Sequence, residues 1–384
     1  MKATIDRRTL TDALTLAAKA LPRRTQYPVL HSVRLAVTPD NCLSIAATDL
    51  DIFSVQTIPL NGHAREDGVA VLPGRDLLKL SKEIPGDEVT IETADKGPVK
   101  VGYAVLSPLD PDEYPEPPAH GEVKAALDIP GDVLAGLLDK VDGLQLRDAS
   151  RPAMMGIRLE HTKATLRLVA TDGYRLGVAE ADGGYGPALS LILPPSLLAY
   201  IPRKVKRGQP WPIVRLTVEE RPKPNEPKNT ERLFWLTVGN LSVKFPPIDG
   251  PYPDWQRVIS PRDKYPLTVT TKRAELARIL RAVLPFSHPT GRLTALTITA
   301  DSLTAKSETP ELGTAEQSIP AKAEWSGPMP DSPQFRIGLN CAYLIHLLGL
   351  SDRDTVTLRF KNPLSATTIR EPRAKWLIMP IRLD

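Results

Sequence analysis

The side chains able to do chemistry are few and poorly grouped. Asp49 with Asp51, and Asp352 with Asp354, stand two positions apart, a spacing that sets two carboxylates on one face of a strand or turn where a divalent cation would bind. No histidine or glutamate joins either pair at a recognised ligand spacing, so surface and turn roles are favoured. The six histidines form neither HxxxH nor HExxH. Cys42 and Cys341 lie far apart, each in an apolar stretch, which gives a disulfide framework or zinc site no support and reads as buried structural thiols in a reducing cytoplasm. No Walker loop, GxGxxG or GxSxG occurs, so the parts for nucleotide hydrolysis or acyl transfer are missing. The expectation is a protein with no catalytic residue, no cofactor and no metal.

The elements that carry these residues point to binding. At 384 residues the chain exceeds what one hydrophobic core usually serves, so two or three domains are expected. Apolar residues at 41% and charged residues at 24% are ordinary globular usage, whereas 39 prolines imply many loops. The N-terminus, with Lys2, Asp6, Arg7 and Arg8 and an apolar stretch broken by Lys19, is unlike a secretory signal, and no apolar run approaches membrane-spanning length. A net charge of +4 permits a polyanionic partner without demanding one, so the distribution of charge must decide.

The chain repeats itself. A helix with apolar residues at i, i+3, i+4 and i+7 opens each of three units: Leu10, Ala13, Leu14, Ala17; Leu134, Leu137, Leu138, Val141; Leu276, Ile279, Leu280, Val283. Thr9 with Asp12 reads as an imperfect capping box and sets the first start near Thr9. Alternating segments follow as half-buried antiparallel strands: Val33 to Val37 and Leu43 to Ala47, Gly156 to Glu160 and Thr165 to Val169, Leu293 to Thr299 and Leu303 to Ser307. The first two sets end in Ala-Thr-Asp, with Thr48 and Thr171 separated by 123 residues, while Leu10 and Leu134 are separated by 124. Two unrelated signals with nearly one period argue for duplication.

A second helix is expected late in each unit, at Leu77, Leu80, Ile84, at Leu198, Ile201, Val205, and at Leu344, Leu347, Leu348, with Pro202 inside the middle one as a kink or early stop. Strands Val89 to Thr93, Ile213 to Val218 and Val356 to Phe360 come next. Proline-dense linkers at Ser107 to Gly121 and around Pro261 to Pro266 divide the chain into domains 1–122, 123–262 and 263–384. The polar run Glu219 to Glu231 reads as an exposed loop inserted between adjacent strands. The faces opposite the apolar stripes carry Lys79 and Lys82, Arg203 and Arg207, and Arg278 and Arg281, with Arg23 and Arg24 closing the first helix. A solvated surface explains any one of them; their recurrence over several helices suits phosphate contacts without base readout.

The run Leu168-Val169-Ala170-Thr171-Asp172-Gly173-Tyr174-Arg175-Leu176, the run Tyr252-Pro253-Asp254-Trp255-Gln256-Arg257-Val258 and the C-terminal Met379-Pro380-Ile381-Arg382-Leu383 resemble the signatures of the bacterial β sliding clamps, ring subunits of the replicative polymerase. Tyr27-Pro28-Val29-Leu30, Ala47-Thr48-Asp49-Leu50 and Ile337-Gly338-Leu339-Asn340 followed by Tyr343 extend the resemblance over essentially the whole chain. It implies an α+β clamp fold of three repeated domains, with antiparallel sheets outside, helices lining a pore, and a head-to-tail homodimer closed around double-stranded DNA. Leu284 and Phe286 are candidate anchors of that dimer contact. The implied partners are the replicative polymerase, an ATP-driven clamp loader and other replication or repair proteins, all docking through linear motifs.

The resemblance also implies where those motifs dock. In the second repeat the cleft would include Met154, Thr171, Gly173, Tyr174, Arg175 and Leu176; in the segment after it, Pro253, Arg257 and Val258; in the third repeat, Asn340, Tyr343 and Leu364. The C-terminal run Leu377, Ile378, Met379, Pro380, Ile381, Arg382 and Leu383 would complete it. Apolar members suit a peptide's leucine or aromatic anchor, Asn340 its backbone, and Met379 several ligands in turn. Interdomain packing is the alternative reading of the apolar members, and a turn requirement that of Gly173. The chain departs from the family at Gly291, where an apolar or aromatic wall residue is usual, at Pro152 and Ala153, which replace aromatics, and at Asp384, one residue past the usual end. Those departures keep a divergent clamp paralogue open as an alternative. A sequence-specific DNA-binding protein is disfavoured, since no helix-turn-helix, zinc-finger or basic-region pattern occurs.

Overall fold

Apolar alternation becomes antiparallel sheet along most of the chain, because each strand then buries one face and solvates the other. The computed structural model describes residues 2–62, 68–93, 97–223, 226–259, 265–326 and 334–383. The expected linker residues Pro261 to Lys264 and the terminal Asp384 lie outside them. By contact density the chain divides into two compact units, one of residues 1–135, 185–189 and 193–247, the other of residues 136–184, 190–192 and 248–384.

In the first unit, strands Lys2–Asp6, Glu88–Thr93, Val99–Val101 and Ala104–Leu106 form a four-stranded sheet in that order. An eight-stranded sheet runs Val69–Pro73, Ser32–Thr38, Cys42–Thr48, Phe53–Pro59, Leu241–Phe245, Glu226–Val238, Ile213–Lys223, Glu122–Pro130. Leu241 lies opposite Gln56, so the sheet is continuous across the first repeat boundary. The second unit carries a nine-stranded sheet in the order Leu189–Leu193, Ile157–His161, Thr165–Thr171, Arg175–Asp182, Ala374–Ile378, Thr367–Glu371, Thr355–Phe360, Leu267–Lys272, Lys322–Trp325. Its five-stranded sheet runs Gly313–Pro320, Ser302–Thr309, Leu293–Ile298, Phe335–Asn340, Pro380–Ile381.

Six α-helices occur among the described residues: α1 (Arg7–Ala17), α2 (Gly74–Glu83), α3 (Gly131–Asp139), α4 (Pro195–Leu198), α5 (Arg273–Val283) and α6 (Cys341–Gly349). None is long and apolar enough to cross a membrane. Helix α1 buries Leu10, Ala13, Leu14 and Ala17 as the periodicity predicts and is tied to α2 by Thr11 and Ser81, whose hydroxyls are 3.1 Å apart. In the second unit the Cys341 thiol donates to the Leu280 carbonyl of α5 at 3.1 Å.

Four expectations are corrected. The cap of α1 is Asp6, whose carboxylate accepts from the Thr9 amide and hydroxyl at 2.7 Å each, so the helix starts at Arg7 and Thr9 is the capped residue. The late helix of the second repeat is the single turn α4; Pro202 follows it, lacking an N–H and crowding the preceding turn, so Val205, Arg203 and Arg207 lie in irregular chain. Cys42 is half-buried rather than a core thiol.

The fourth correction concerns Glu219 to Glu231: residues 219–223 and 226–231 lie in two paired antiparallel strands rather than an inserted loop, and Pro224 and Asn225 lie outside the described residues. Glu219 pairs with Leu233, Glu220 with Arg232, Arg221 with Glu231 and Pro222 with Thr230. Charges that look loop-like along the sequence become cross-strand ion pairs, Arg221 to Glu231 at 2.7 Å and Arg232 to Glu220 at 3.0 Å. Glu219 is buried and accepts from the Gly121 amide at 2.9 Å. Pro222 is tolerated because the neighbouring strand stops pairing at Glu220, opposite Glu122, so no third strand asks for its missing N–H.

Candidate partner cleft and basic surfaces

The site is organised by the turn that joins strands Thr165–Thr171 and Arg175–Asp182. The Thr171 hydroxyl donates to the Arg175 carbonyl at 2.7 Å and accepts from the Gly173 amide at 3.0 Å. One oxygen of Asp172 accepts from the amides of Tyr174 and Arg175, both at 2.9 Å, and the other from Arg175 Nε at 2.9 Å. Gly173 takes φ +91°, which favours glycine; a Cβ there would also stand 3.3 Å from the Arg151 guanidinium and 3.5 Å from the Met154 methyl. This turn holds the C-terminal strand: the Tyr174 carbonyl accepts from the Met379 amide at 2.8 Å, and Leu176 lies opposite Leu377.

Under the turn, Ala153, Val169, Leu176, Val178, Ile192, Tyr252 and Leu377 form one buried apolar cluster, with Ile248, Trp255, Ile259 and Ala366 packed against it. The Tyr252 hydroxyl donates to the Val169 carbonyl at 3.0 Å, and burial pushes that phenol's pKa far up, so it stays neutral. Around the cluster the surface is apolar yet open: Tyr174 is 61% exposed, Val258 48%, Leu364 66% and Met379 41%. Exposed apolar side chains rimming a packed floor are what a peptide anchor requires.

The polar end belongs to α6. Asn340 caps that helix, its side-chain oxygen accepting from the Tyr343 amide at 3.0 Å. The Tyr343 ring lies 6.4 Å from that of Tyr174 and 4.4 Å from the Arg175 guanidinium carbon. Burial raises the Tyr343 phenol pKa, and Asp172 adds to it. Pro380 and Ile381 pair with Leu339 and Gly338, where Leu383 also packs, since a Cβ on Gly338 would lie 3.0 Å from it.

Bonds and packing thus gather Met154, Thr171, Gly173, Tyr174, Arg175, Leu176, Asn340, Tyr343, Leu377, Ile378, Met379, Pro380, Ile381 and Leu383 into one neighbourhood. Pro253, Arg257, Val258 and Leu364 stay outside the buried cluster, borne on segments whose Tyr252, Trp255 and Ala366 pack into it; Arg257 pairs with Asp254 at 2.7 Å. Arg382 is exposed. Sequence reasoning passed over Ala153, Val169, Val178, Ile192, Tyr252 and Trp255 as site members. The motif Tyr252 to Val258 was the available signal for the last two. A Cβ on Gly291 would meet open space, so nothing fills the wall position that the resemblance singled out.

Two of the four paired aspartates have side-chain partners of their own. Asp49 accepts from the amides of Asp51 and Ile52, and Asp352 pairs with Lys140. Among the described residues no group of three His, Cys, Asp or Glu side chains is placed to hold a metal. Of the basic candidates, Arg23 and Arg24 are exposed in the turn after α1, and Lys79 and Lys82 on α2, where Lys79 pairs with Asp76. Arg207 is exposed and Arg203 half-buried after α4, all in the first unit; Arg278 and Arg281 are exposed on α5 in the second.

A family model described as the DNA polymerase III beta subunit, N-terminal domain, matches residues 1–117. The beta sliding clamps of Pseudomonas aeruginosa and Bacillus subtilis are 27% and 25% identical, each alignment covering all of both chains. The crystal structure of the Pseudomonas aeruginosa DNA polymerase III subunit beta superposes over 100% of both chains with a TM-score of 0.86 at 25% identity. Over its whole length the chain is similar in sequence and fold to DNA polymerase III beta subunits. The family's fold persists at lower identity: the Thermotoga maritima beta subunit matches with a TM-score of 0.84 at 22% identity. In this chain the Thr-Asp-Gly-Tyr-Arg turn and the C-terminal strand are bonded to each other, and the apolar surface they frame is the candidate partner cleft.

Proposed function

We propose that the chain is a DNA sliding clamp: two copies close head to tail around duplex DNA, slide without reading sequence, and tether the replicative polymerase and other partners through the cleft. The observation that carries the docking half of this reading is the bond between Tyr174 and Met379, which frames an exposed apolar rim over a packed floor. Burying one leucine or aromatic anchor there contributes about 1.5–3 kcal/mol. A charge introduced at Met379 removes that gain. Met379→Asp is expected to weaken a fluorescein-labelled peptide bearing a Leu-Phe anchor by at least about tenfold in anisotropy titrations, and an unchanged affinity would move the site elsewhere.

Ring closure is supported by two open sheet edges. The four-stranded sheet ends in Ala104–Leu106, where Val105 within the strand and Tyr103 just before it are each 64% exposed, and the five-stranded sheet ends in the mostly exposed Gly313–Pro320. Unpaired edges of this kind invite another strand, and pairing the edge of one copy with the other edge of the next is heterologous contact that closes when its rotation permits. Leu284 and Phe286, half-buried in the turn after α5, are the proposed apolar supports. The proposal takes domains 1–122, 123–262 and 263–384 as the repeated parts, the first boundary falling at the start of the strand Glu122–Pro130.

A closed ring cannot leave intact circular DNA, so scattered weak phosphate contacts suffice and tethering raises the polymerase's local concentration at the primer end. Arg23, Arg24, Lys79, Lys82, Arg203, Arg207, Arg278 and Arg281 are the proposed contacts, and an external ATP-driven loader opens the ring in the cytoplasm. Loaded by a bacterial clamp loader, the chain should remain on nicked circular plasmid and be lost after linearisation; equal loss from both refutes the ring. Arg24→Glu with Lys79→Glu and Arg207→Glu should lower retention while leaving peptide binding intact.

A further inference from the structure

Arg175 is held at three points beneath the cleft's polar end. Its Nε donates to Asp172 at 2.9 Å, one terminal nitrogen to the Gly143 carbonyl at 3.0 Å, and the other meets His346 Nδ1 at 2.5 Å. Its guanidinium thereby lies against the Tyr343 ring, at 4.4 Å. A guanidinium has no acceptor and does not deprotonate, so the contact with His346 has one consistent polarity: Nδ1 accepts, and the imidazole is neutral with its proton on Nε2. The other side of that ring rests on Gly143, where a Cβ would stand 3.2 Å from Cε1 and 3.3 Å from Nε2; φ of +82° further favours glycine.

We infer that His346 is a positioning residue for the cleft, its neutral imidazole fixing Arg175 under Tyr343, so that peptide affinity is linked to one proton on this ring. The inference rests on the cleft reading. Protonation turns the acceptor into a donor and sets a second cation against Arg175, which releases the guanidinium and with it the support of Tyr343. The proton can reach the ring without unfolding, because His346, Arg147, Asp172, Tyr174, Arg175 and Tyr343 line a shared open cavity of about 550 Å³.

The charged groups facing His346 are Arg175 and Asp172 from the turn, and Arg147 and Asp142 from the segment after α3. Burial first, then the two arginines, hold its pKa below the ordinary histidine value of 6.5, with the two aspartates opposing. The sign follows from that direction. The neutral form dominates at and above the ordinary range, where affinity is full; affinity falls as pH drops below that range through the lowered pKa.

Anisotropy titrations of an uncharged, end-capped Leu-Phe peptide from about pH 8 to about pH 5 test this on the full chain. Wild type should lose roughly tenfold in affinity toward the acid end, the scale of a lost charge-assisted hydrogen bond. H346N, whose side-chain oxygen replaces Nδ1 as an acceptor that does not titrate, should bind like wild type at high pH and keep its affinity in acid. H346F, lacking the acceptor, should bind weakly at every pH. Equal pH profiles for wild type and H346N, or full affinity in H346F, overturn the inference while leaving the cleft standing. Failure of wild type to bind at high pH overturns the cleft reading and this inference with it. Nitrogen-15 shifts of the imidazole in the unliganded protein give an independent check: Nε2–H with an accepting Nδ1 is expected, and a protonated Nδ1 overturns it.

Discussion

The turn at Thr48 and the turn at Thr171 are the same device built twice. In each, the threonine hydroxyl donates to the carbonyl four residues on, Ile52 or Arg175, at 2.7 Å, and accepts from the amide two residues on. In each, the aspartate accepts from the next two free amides, those of Asp51 and Ile52 or of Tyr174 and Arg175. Each needs a left-handed residue, Leu50 at φ 81° or Gly173 at φ 91°. They differ in what stands at the fourth position. Ile52 is buried apolar packing, whereas Arg175 binds the aspartate a third time and reaches α6. A turn that displays buried apolar packing in the first repeat frames the proposed cleft in the second through exchange of the residues it displays.

The largest test of that difference is removal of the two aspartates. Asp172→Ala strands the nearly buried Arg175 charge as well as two amides, so a loss of about 3–5 kcal/mol is expected, together with loss of peptide binding. Asp49→Ala removes only turn bonds near the surface and should cost about 1 kcal/mol. Urea melts of both variants decide the matter: equal losses mean that Arg175 adds nothing to the second turn. Gly173→Ala comes next. A side chain at this positive φ costs about 1–2 kcal/mol, and its crowding of Arg151 and Met154 should weaken the labelled peptide as well. Loss of stability with full peptide affinity would make Gly173 a turn residue alone.

Local chemistry made both turns legible from sequence, since Ala-Thr-Asp carries its own hydrogen-bond program within five residues. The first helices were legible for the same reason, their stripes being set by spacing alone. What failed depended on distant partners. The strands around Pro222 read as loop because Glu220 and Arg221 find Arg232 and Glu231 only across the hairpin. His346 carried no signal, because its role is set by Arg175 from another repeat. The late helix of the second repeat failed on local grounds that apolar spacing outweighed, with Pro202 ending what Val205 seemed to continue.

The smallest expected effect is also the cleanest, because it transfers one residue between the turns. Leu50 is 52% exposed and holds φ 81°, so it contributes little packing while bearing the strain of a side chain in the left-handed region. Leu50→Gly relieves about 1–2 kcal/mol of that strain and gives back about 0.5–1 kcal/mol in backbone entropy of the unfolded chain. A net gain of up to about 1.5 kcal/mol is expected, read as a small rise in urea midpoint with an unchanged slope. Peptide affinity should not move, because this turn displays no counterpart of Arg175. A destabilised variant would mean that Leu50 is held by contacts worth more than the strain, and that the first turn, too, displays its residues for binding.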